Sequence, residues 1–140
     1  MAGPAVIERY YAALNHREWS AYPEVFTADA VLEGPGGATG TGPAQIQEFD
    51  SGFARAFSDF RLTAVTVYDA GDHVAYELRA TGTHDGPFAT PQGDIPASGN
   101  RVDVKGVGVF ELRAGQISAQ RVYFDRLQLV EQLTAALVGA

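Results

Sequence analysis

Near residue 60 the spacing of apolar residues changes, and this change narrows the chain to folds that place helices ahead of a sheet. Upstream, Val6, Tyr10, Ala13 and Leu14 share one face of a predicted helix, with Ile7 and Tyr11 beside them. Pro4 suits its first turn. A second helix is expected from Ser20 as N-cap, with Glu24 in its first turns and Val25 and Phe26 packed inward. "DAVLEG" (29–34) reads as a short strand, ended by the turn-rich "GPGGATGTGP". Pro43 opens a third helix in which Ile46, Phe49, Phe53, Phe57 and Phe60 recur at three- and four-residue steps. This aromatic stripe reads as core.

Downstream the period becomes two. "RLTAVTVY" and "HVAYELRATGTH" flank "DAGD", the signature of a hairpin. "GPFATPQGDIPASGN" (86–100) is a Gly/Pro-rich loop long enough to act as a lid, or simply to be disordered. "RVDVKGVGVFEL" and "QISAQRVYFD" form a second hairpin around "RAGQ", with Gly115 placed to supply a bulged turn. Asp125 then caps a last helix whose apolar residues are Leu127, Val130, Leu133 and Leu137. The predicted architecture is one α+β domain over residues 1–140, a curved antiparallel sheet wrapped around N-terminal helices.

Composition removes several function classes. A net charge of −7, with only ten scattered basic residues, argues against nucleic-acid binding. There is no Cys, hence no disulfide, thiolate nucleophile or cysteine zinc site, which fits a reducing cytoplasm. The three His residues have no close helical spacing, so no metal is expected. "GPGGATGTG" lacks the lysine of a phosphate loop and reads as a turn. The N-terminus has no basic region followed by an apolar run, and no stretch approaches the ~20 apolar residues of a membrane span.

Two glycines then pose a question. Gly106 and Gly108 fall on the same face of a predicted buried strand, where glycine loses the most backbone entropy and packs no side chain. With a bulge at Gly115 the expected pairs are Glu111 with Ile117, Gly108 with Gln120 and Gly106 with Val122. One face then carries Val104, Gly106, Gly108, Phe110, Ser118, Gln120, Val122 and Phe124, and the other carries Ile117, Val107, Val109 and Tyr123. The glycine face, opposed by the first and third helices, is expected to border a hollow, and the outer face to seat a partner subunit.

"IERYYAALNHREWSAYPEVFTADAVLEGP" resembles the opening of the ketosteroid isomerases and of the SnoaL-like polyketide cyclases. "ATGTHDGPF", "GVGVFELRAGQI" and "YFDRLQLVEQL" resemble the second half of the SnoaL-like family, and "QRVYFD" is similar to limonene epoxide hydrolases. The resemblance spans nearly the whole chain. It implies the α+β cone related to nuclear transport factor, with an internal cavity and a homodimer through the outer sheet face. It implies no single reaction, because the superfamily hosts isomerases, cyclases, dehydratases, hydrolases, hydroxylases and inactive members. By the same resemblance Tyr10 matches the tyrosine that hydrogen-bonds a developing oxyanion, while the general-base aspartate falls at Gly34, beside Glu33. Gly108 falls where relatives carry an oxyanion donor or a histidine, and Val122 where they carry a catalytic aspartate. Leu78 and Ala80 lie near the epoxide hydrolase arginine and its companion aspartate.

The candidate catalytic groups are therefore Tyr10, Glu33, His84 and Asp125. Tyr10 is an oxyanion donor or a structural core tyrosine. Glu33 is a general base if desolvated, or a solvated strand end. His84, where a strand enters the long loop, suits proton transfer, or is a surface residue. Asp125, with Gln128 three residues on, reads better as a helix cap than as a catalytic acid. Trp19, Tyr22, Phe53, Phe57, Tyr76, Phe88, Gly106, Gly108, Gln120, Val122 and Phe124 are the expected substrate-binding residues. The expected function is a cofactor-independent cyclase or isomerase acting on a polyketide-like or polycyclic natural-product intermediate inside an apolar cavity, by enolate chemistry or epoxide opening. A carrier that binds such a molecule without turnover is the alternative.

Overall fold

Helix α1 spans Ala5–Asn15, with Pro4 as the residue before its first turn. The Pro4 carbonyl accepts from Ile7 N (3.0 Å) and Glu8 N (3.2 Å), so proline satisfies helix donors without offering one of its own. The predicted apolar face, from Val6 to Leu14, is buried. The helix stops where Arg17 adopts a left-handed conformation (φ 58°). Its guanidinium then donates to the carbonyls of Leu14, Phe60 and Ser58, each at 3.0 Å, tying the end of α1 to the segment after the next helix. The computed structural model describes residues 3–135.

The helix expected from Ser20 is instead a four-residue 3₁₀ turn, Tyr22–Val25, with no side-chain cap. Strand β1, Phe26–Glu33, starts immediately after it and is longer than "DAVLEG" suggested. A short β2, Thr39–Thr41, precedes α2, Pro43–Ala56, with Pro43 in its first turn and Gly42 at φ 83°. Phe57 and Phe60 do not continue the helical stripe. Past Ala56 the chain is captured by the far end of another strand: Ser58 N donates to Asp85 Oδ1 (2.9 Å), and Asp59 accepts from Thr83 N (2.6 Å). Both phenylalanines remain buried, but from the turn that follows the helix, in which Phe60 N donates to the Phe57 carbonyl (3.0 Å).

β3, Arg61–Asp69, and β4, His73–Thr83, form the first predicted hairpin. The loop expected at 86–100 carries a small hairpin of its own, β5 (Phe88–Thr90) with β6 (Gly93–Ile95). β7, Arg101–Arg113, and β8, Gln116–Phe124, follow. The six long-sheet strands run in the order β2-β1-β8-β7-β4-β3, antiparallel throughout except for the parallel β1–β8 pair. The sheet curves around α1 and α2. The last helix, α3 (Arg126–Thr134), packs on β7. Among the described residues, no helix is long and apolar enough to cross a membrane.

The β7–β8 register corrects the expected one by two residues: Glu111 faces Ala119, Gly108 faces Val122 and Gly106 faces Phe124. The turn explains the shift. Ala114 and Gly115 both have positive φ (51° and 76°), as in a tight two-residue hairpin loop, and Arg113 pairs with Gln116. The bulge sits further on, at Ser118, whose hydroxyl donates to the Glu111 carbonyl (3.1 Å). Because side chains alternate with period two, a shift of two leaves the predicted inner face intact from Gln120 onward. Before the bulge the faces exchange, so Ile117, expected outside, is fully buried.

In α3, Asp125 Oδ1 accepts from Gln128 N (3.1 Å), the expected cap. Leu129 and Leu133 form its buried face, whereas Leu127 is 67% exposed and Leu137 lies outside the described residues. Asn100 closes the other end of this helix, donating from Nδ2 to the carbonyls of Gln132 (3.0 Å) and Ala135 (2.8 Å).

Candidate functional site

Within the aromatic stripe of α2 lies an acidic residue, Asp50, only 5% exposed. A carboxylate taken from water here needs donors, and two phenols supply them. Tyr10 Oη from α1 donates to Asp50 Oδ2 at 2.8 Å, and Tyr22 Oη from the 3₁₀ turn makes a short hydrogen bond to the same oxygen. Gln120 Nε2 from β8 donates to Tyr10 Oη at 3.0 Å. The Tyr10 ring is held edge-on by Tyr11, Phe26 and Phe110, at centroid distances of 5.7–5.8 Å. Four elements therefore fix one buried polar chain.

Burial raises the Asp50 carboxyl to about 6, opposed by the hydrogen bonds from Tyr22 and Tyr10. The Tyr10 and Tyr22 phenols are pushed up from their ordinary value, first by burial and then by the Asp50 charge. At neutral pH the phenols keep their protons and Asp50 is mostly ionised, yet within reach of protonation. A carboxyl so placed can take and return a proton near neutrality.

Tyr10, Asp50 and Gln120 sit in the wall of an apolar cavity of about 50 Å³ between the sheet and α2. Phe53, Phe57, Phe60, Phe110 and Phe124 supply most of its aromatic surface. A wider cleft of about 390 Å³ lies between the 35–38 turn, β5 and α3, and includes Phe88 and Arg126. The two share Phe49, Phe53, Phe124 and Leu129. These four side chains form the wall common to the cleft and the inner cavity.

The expected residues divide accordingly. Tyr10, Phe53, Phe57, Gly108, Gln120, Val122 and Phe124 line the cavity, and Tyr22 stands behind it on Asp50. Phe88 lines the outer cleft. Trp19 packs edge-on against Tyr22 (5.4 Å) and Tyr76 against Phe110 (5.7 Å), both outside the wall. Burial pushes the Tyr76 hydroxyl up to about 12. Glu33 is exposed at the end of β1, so the desolvation that a general base there would need is absent. Asp125 is an exposed cap. His84 is fully buried rather than on the surface, but outside the cavity wall: its Nδ1 accepts from Ser98 N (3.1 Å) and its ring packs on Phe57 (5.7 Å).

Gly106 and Gly108 differ in what they make room for. A Cβ on Gly106 would lie 2.8 Å from the Tyr123 carbonyl oxygen, so this glycine permits close approach of β7 and β8 and borders no cavity. A Cβ on Gly108 would meet only side-chain carbon, the edge of the Phe110 ring at 3.3 Å and Leu78 Cδ2 at 3.8 Å, and Gly108 does line the cavity. The aromatic rings keep that hollow narrow, so the inner chamber is not enlarged as expected. Leu78, Ala80, Gly108 and Val122, matched by resemblance to polar catalytic positions, all present carbon to the cavity. Among the described residues, no group of three or more His, Cys, Asp or Glu is placed to hold a metal ion.

Sequence reading missed Asp50. The available signal was an acidic residue four positions after Ile46 and between Phe49 and Phe53, where a solvated face was not on offer.

A family model described as SnoaL-like polyketide cyclase matches residues 5–133. A protein from Jannaschia sp. CCS1 assigned to the SnoaL-like polyketide cyclases is similar with a TM-score of 0.84 and 24% identity, over 95% of this chain and 92% of that one. A protein with a ketosteroid isomerase-like fold from Catenulispora acidiphila is similar with a TM-score of 0.78 and 22% identity, over 94% of each chain. IdmH from Streptomyces antibioticus, assigned as a polyketide cyclase, gives a TM-score of 0.78 and 22% identity, over 94% and 99%. At these identities the likeness is one of fold. No curated protein matches the chain.

Proposed function

Because the chain belongs to the SnoaL-like polyketide cyclase family, we propose that it is a cofactor-independent cyclase or isomerase of polyketide-like or polycyclic natural-product intermediates, working by enolate chemistry. One observation carries this reading: a buried carboxyl near pKa 6, held by two phenols, opens onto an apolar cavity. The bulk of the substrate lies in the outer cleft, and its reacting end passes Phe53 and Phe124. Asp50 takes a proton from carbon beside a carbonyl. The resulting enolate carbon attacks a second carbonyl of the same molecule, and Asp50 returns the proton to the new alkoxide, so atoms balance with no co-reactant. Tyr10 and Tyr22 orient the carboxylate. The aromatic walls exclude water and hold the folded conformer, which lowers the barrier by positioning. The same reading places the protein in the cytoplasm, as a dimer through the outer sheet face.

The test is α-hydrogen exchange of 2-tetralone, an apolar bicyclic ketone, in D₂O by NMR. Native protein should accelerate exchange, and Asp50→Asn should lose about 10²-fold or more. No acceleration by native protein removes the enolate reading. A carrier role is favoured by the carbon-only surface at Leu78, Ala80, Gly108 and Val122. Saturable binding of 2-tetralone without exchange would support it.

A further inference from the structure

Two polar atoms of the inner cavity's own side chains have no partner. Gln120 Oε1 and Tyr11 Oη are both buried without a hydrogen bond, and both residues line the cavity. Gln120 is only 4% exposed. A buried acceptor left unpaired is costly, and native structures seldom keep one without a use.

The orientation of the Gln120 amide follows from counting hydrogens. Tyr10 owns one hydroxyl hydrogen, and it goes to Asp50 Oδ2. Tyr22 spends its own on the same oxygen. Tyr10 Oη can then only accept, so Gln120 must turn its NH₂ toward it, as the 3.0 Å contact has it. The flipped amide would set two lone-pair oxygens against each other. Asp50 thereby fixes, through Tyr10, which end of Gln120 is left over: the carbonyl oxygen, an acceptor with no donor.

We propose that Gln120 is the specificity-determining residue of the cavity, and that the guest meets it with a hydrogen-bond donor, an enol, phenol or alcohol O–H. A ketone or ether at that point would face Gln120 Oε1 lone pair to lone pair. Tyr11, with a hydroxyl free to donate, accommodates a neighbouring oxygen on the same guest. The guest is thus an apolar ring system whose leading edge is hydroxylated. This deepens the enolate reading: the reacting carbonyl and its enolate oxygen lie at Tyr11, whose O–H can donate, while a separate hydroxyl of the guest meets Gln120 Oε1.

The experiment measures binding rather than turnover, so its failure is separate from that of the cyclase reading. Affinities of the full chain for 2-naphthol, 2-methoxynaphthalene, 2-naphthaldehyde and naphthalene are compared by calorimetry or fluorescence. 2-Naphthol should bind about tenfold or more tighter than the methoxy and aldehyde probes. Gln120→Met, close in shape, should bring that ratio near one while naphthalene binding is kept. Equal binding of naphthol and its methyl ether by the native protein overturns the proposal. So does a preference that survives in folded Gln120→Met, or failure of all four probes to bind. Should the variant not fold, the native ratio still decides, because an acceptor-only probe that binds as well as naphthol is incompatible with an unpaired Oε1. Donor preference without tetralone exchange would leave this inference standing and remove the enzyme reading.

Discussion

Gln120 and Tyr10, 110 positions apart in sequence, meet through a 3.0 Å hydrogen bond in which the amide donates and the phenol accepts. That direction holds only because Tyr10 has already committed its hydrogen to Asp50. Tyr10→Phe should therefore do more than remove one bond: Gln120 loses its acceptor and the Asp50 carboxylate keeps only Tyr22. We expect a loss of about 1–3 kcal/mol in urea unfolding and a further rise of the Asp50 pKa, read by carboxyl NMR titration. An unchanged titration would show that Tyr10 does not hold the carboxylate.

The Asp50 titration has a defined sign. Its folded pKa of about 6 lies above the ordinary 3.8, so the native state binds the proton more tightly than the unfolded chain. The contribution of this group to stability is present below about pH 4 and is lost as pH rises through 6. Two units correspond to about 3 kcal/mol at most. Asp50→Asn should flatten this part of the stability–pH profile while keeping the fold. Thermal unfolding from pH 4 to 7 in both proteins gives the answer, and parallel profiles would remove Asp50 as the titrating group.

The paired glycines should respond unequally to a methyl group. At Gly106 the clash is with backbone, the Tyr123 carbonyl oxygen at 2.8 Å, and a strand must move. At Gly108 the neighbour is the Phe110 ring edge at 3.3 Å, which can give by a few tenths of an ångström. Gly106→Ala should cost about 1–3 kcal/mol and Gly108→Ala clearly less. Gly108→Ala alone should weaken naphthalene binding, because only that methyl enters the cavity. The reverse order of stability in denaturant melts would contradict the β7–β8 geometry.

The sheet's outer face leaves Tyr123 and Tyr68 each 55% exposed. If this face pairs with a second copy, Tyr123→Glu should turn a dimer into a monomer in sedimentation with little change in the monomer's own stability, within about 0.5 kcal/mol. A native protein that sediments as a monomer removes the pairing.

What the sequence shows and hides follows contact range. The α1 face, the start of α2 at Pro43, the β3–β4 hairpin and the Asp125 cap depend on neighbours a few residues away, so local pattern suffices. The parallel β1–β8 pair joins Phe26 to Ile117, and nothing local encodes it. The bulge at Ser118 is also unmarked, because a two-residue turn with Ala114 at positive φ looks in sequence like a three-residue turn around Gly115. Asp50 escaped notice because its partners lie 28 and 40 positions away. A residue's charge is legible in sequence, whereas its burial depends on the whole fold.

His84 separates a structural from a catalytic role most sharply. Its backbone N–H donates to Asn100 O (2.9 Å), its carbonyl accepts from Gly99 N (2.8 Å), and Nδ1 accepts from Ser98 N (3.1 Å). These bonds close the base of the β5–β6 loop, while the ring fills space against Phe57. Removing the imidazole leaves a void and an unpaired Ser98 N–H together, so His84→Ala should cost on the order of 2–3 kcal/mol. The loop should also become more open to proteolysis between residues 86 and 98, since the variant loses the imidazole's bond to Ser98 and keeps only the two backbone bonds. Tetralone exchange per folded molecule should change far less than in Asp50→Asn, because His84 is outside the cavity wall. If His84→Ala instead kept its melting temperature and loop protection but lost exchange as completely as Asp50→Asn, the proton would have to travel through His84, and Asp50 would be reduced to holding Tyr10 in place.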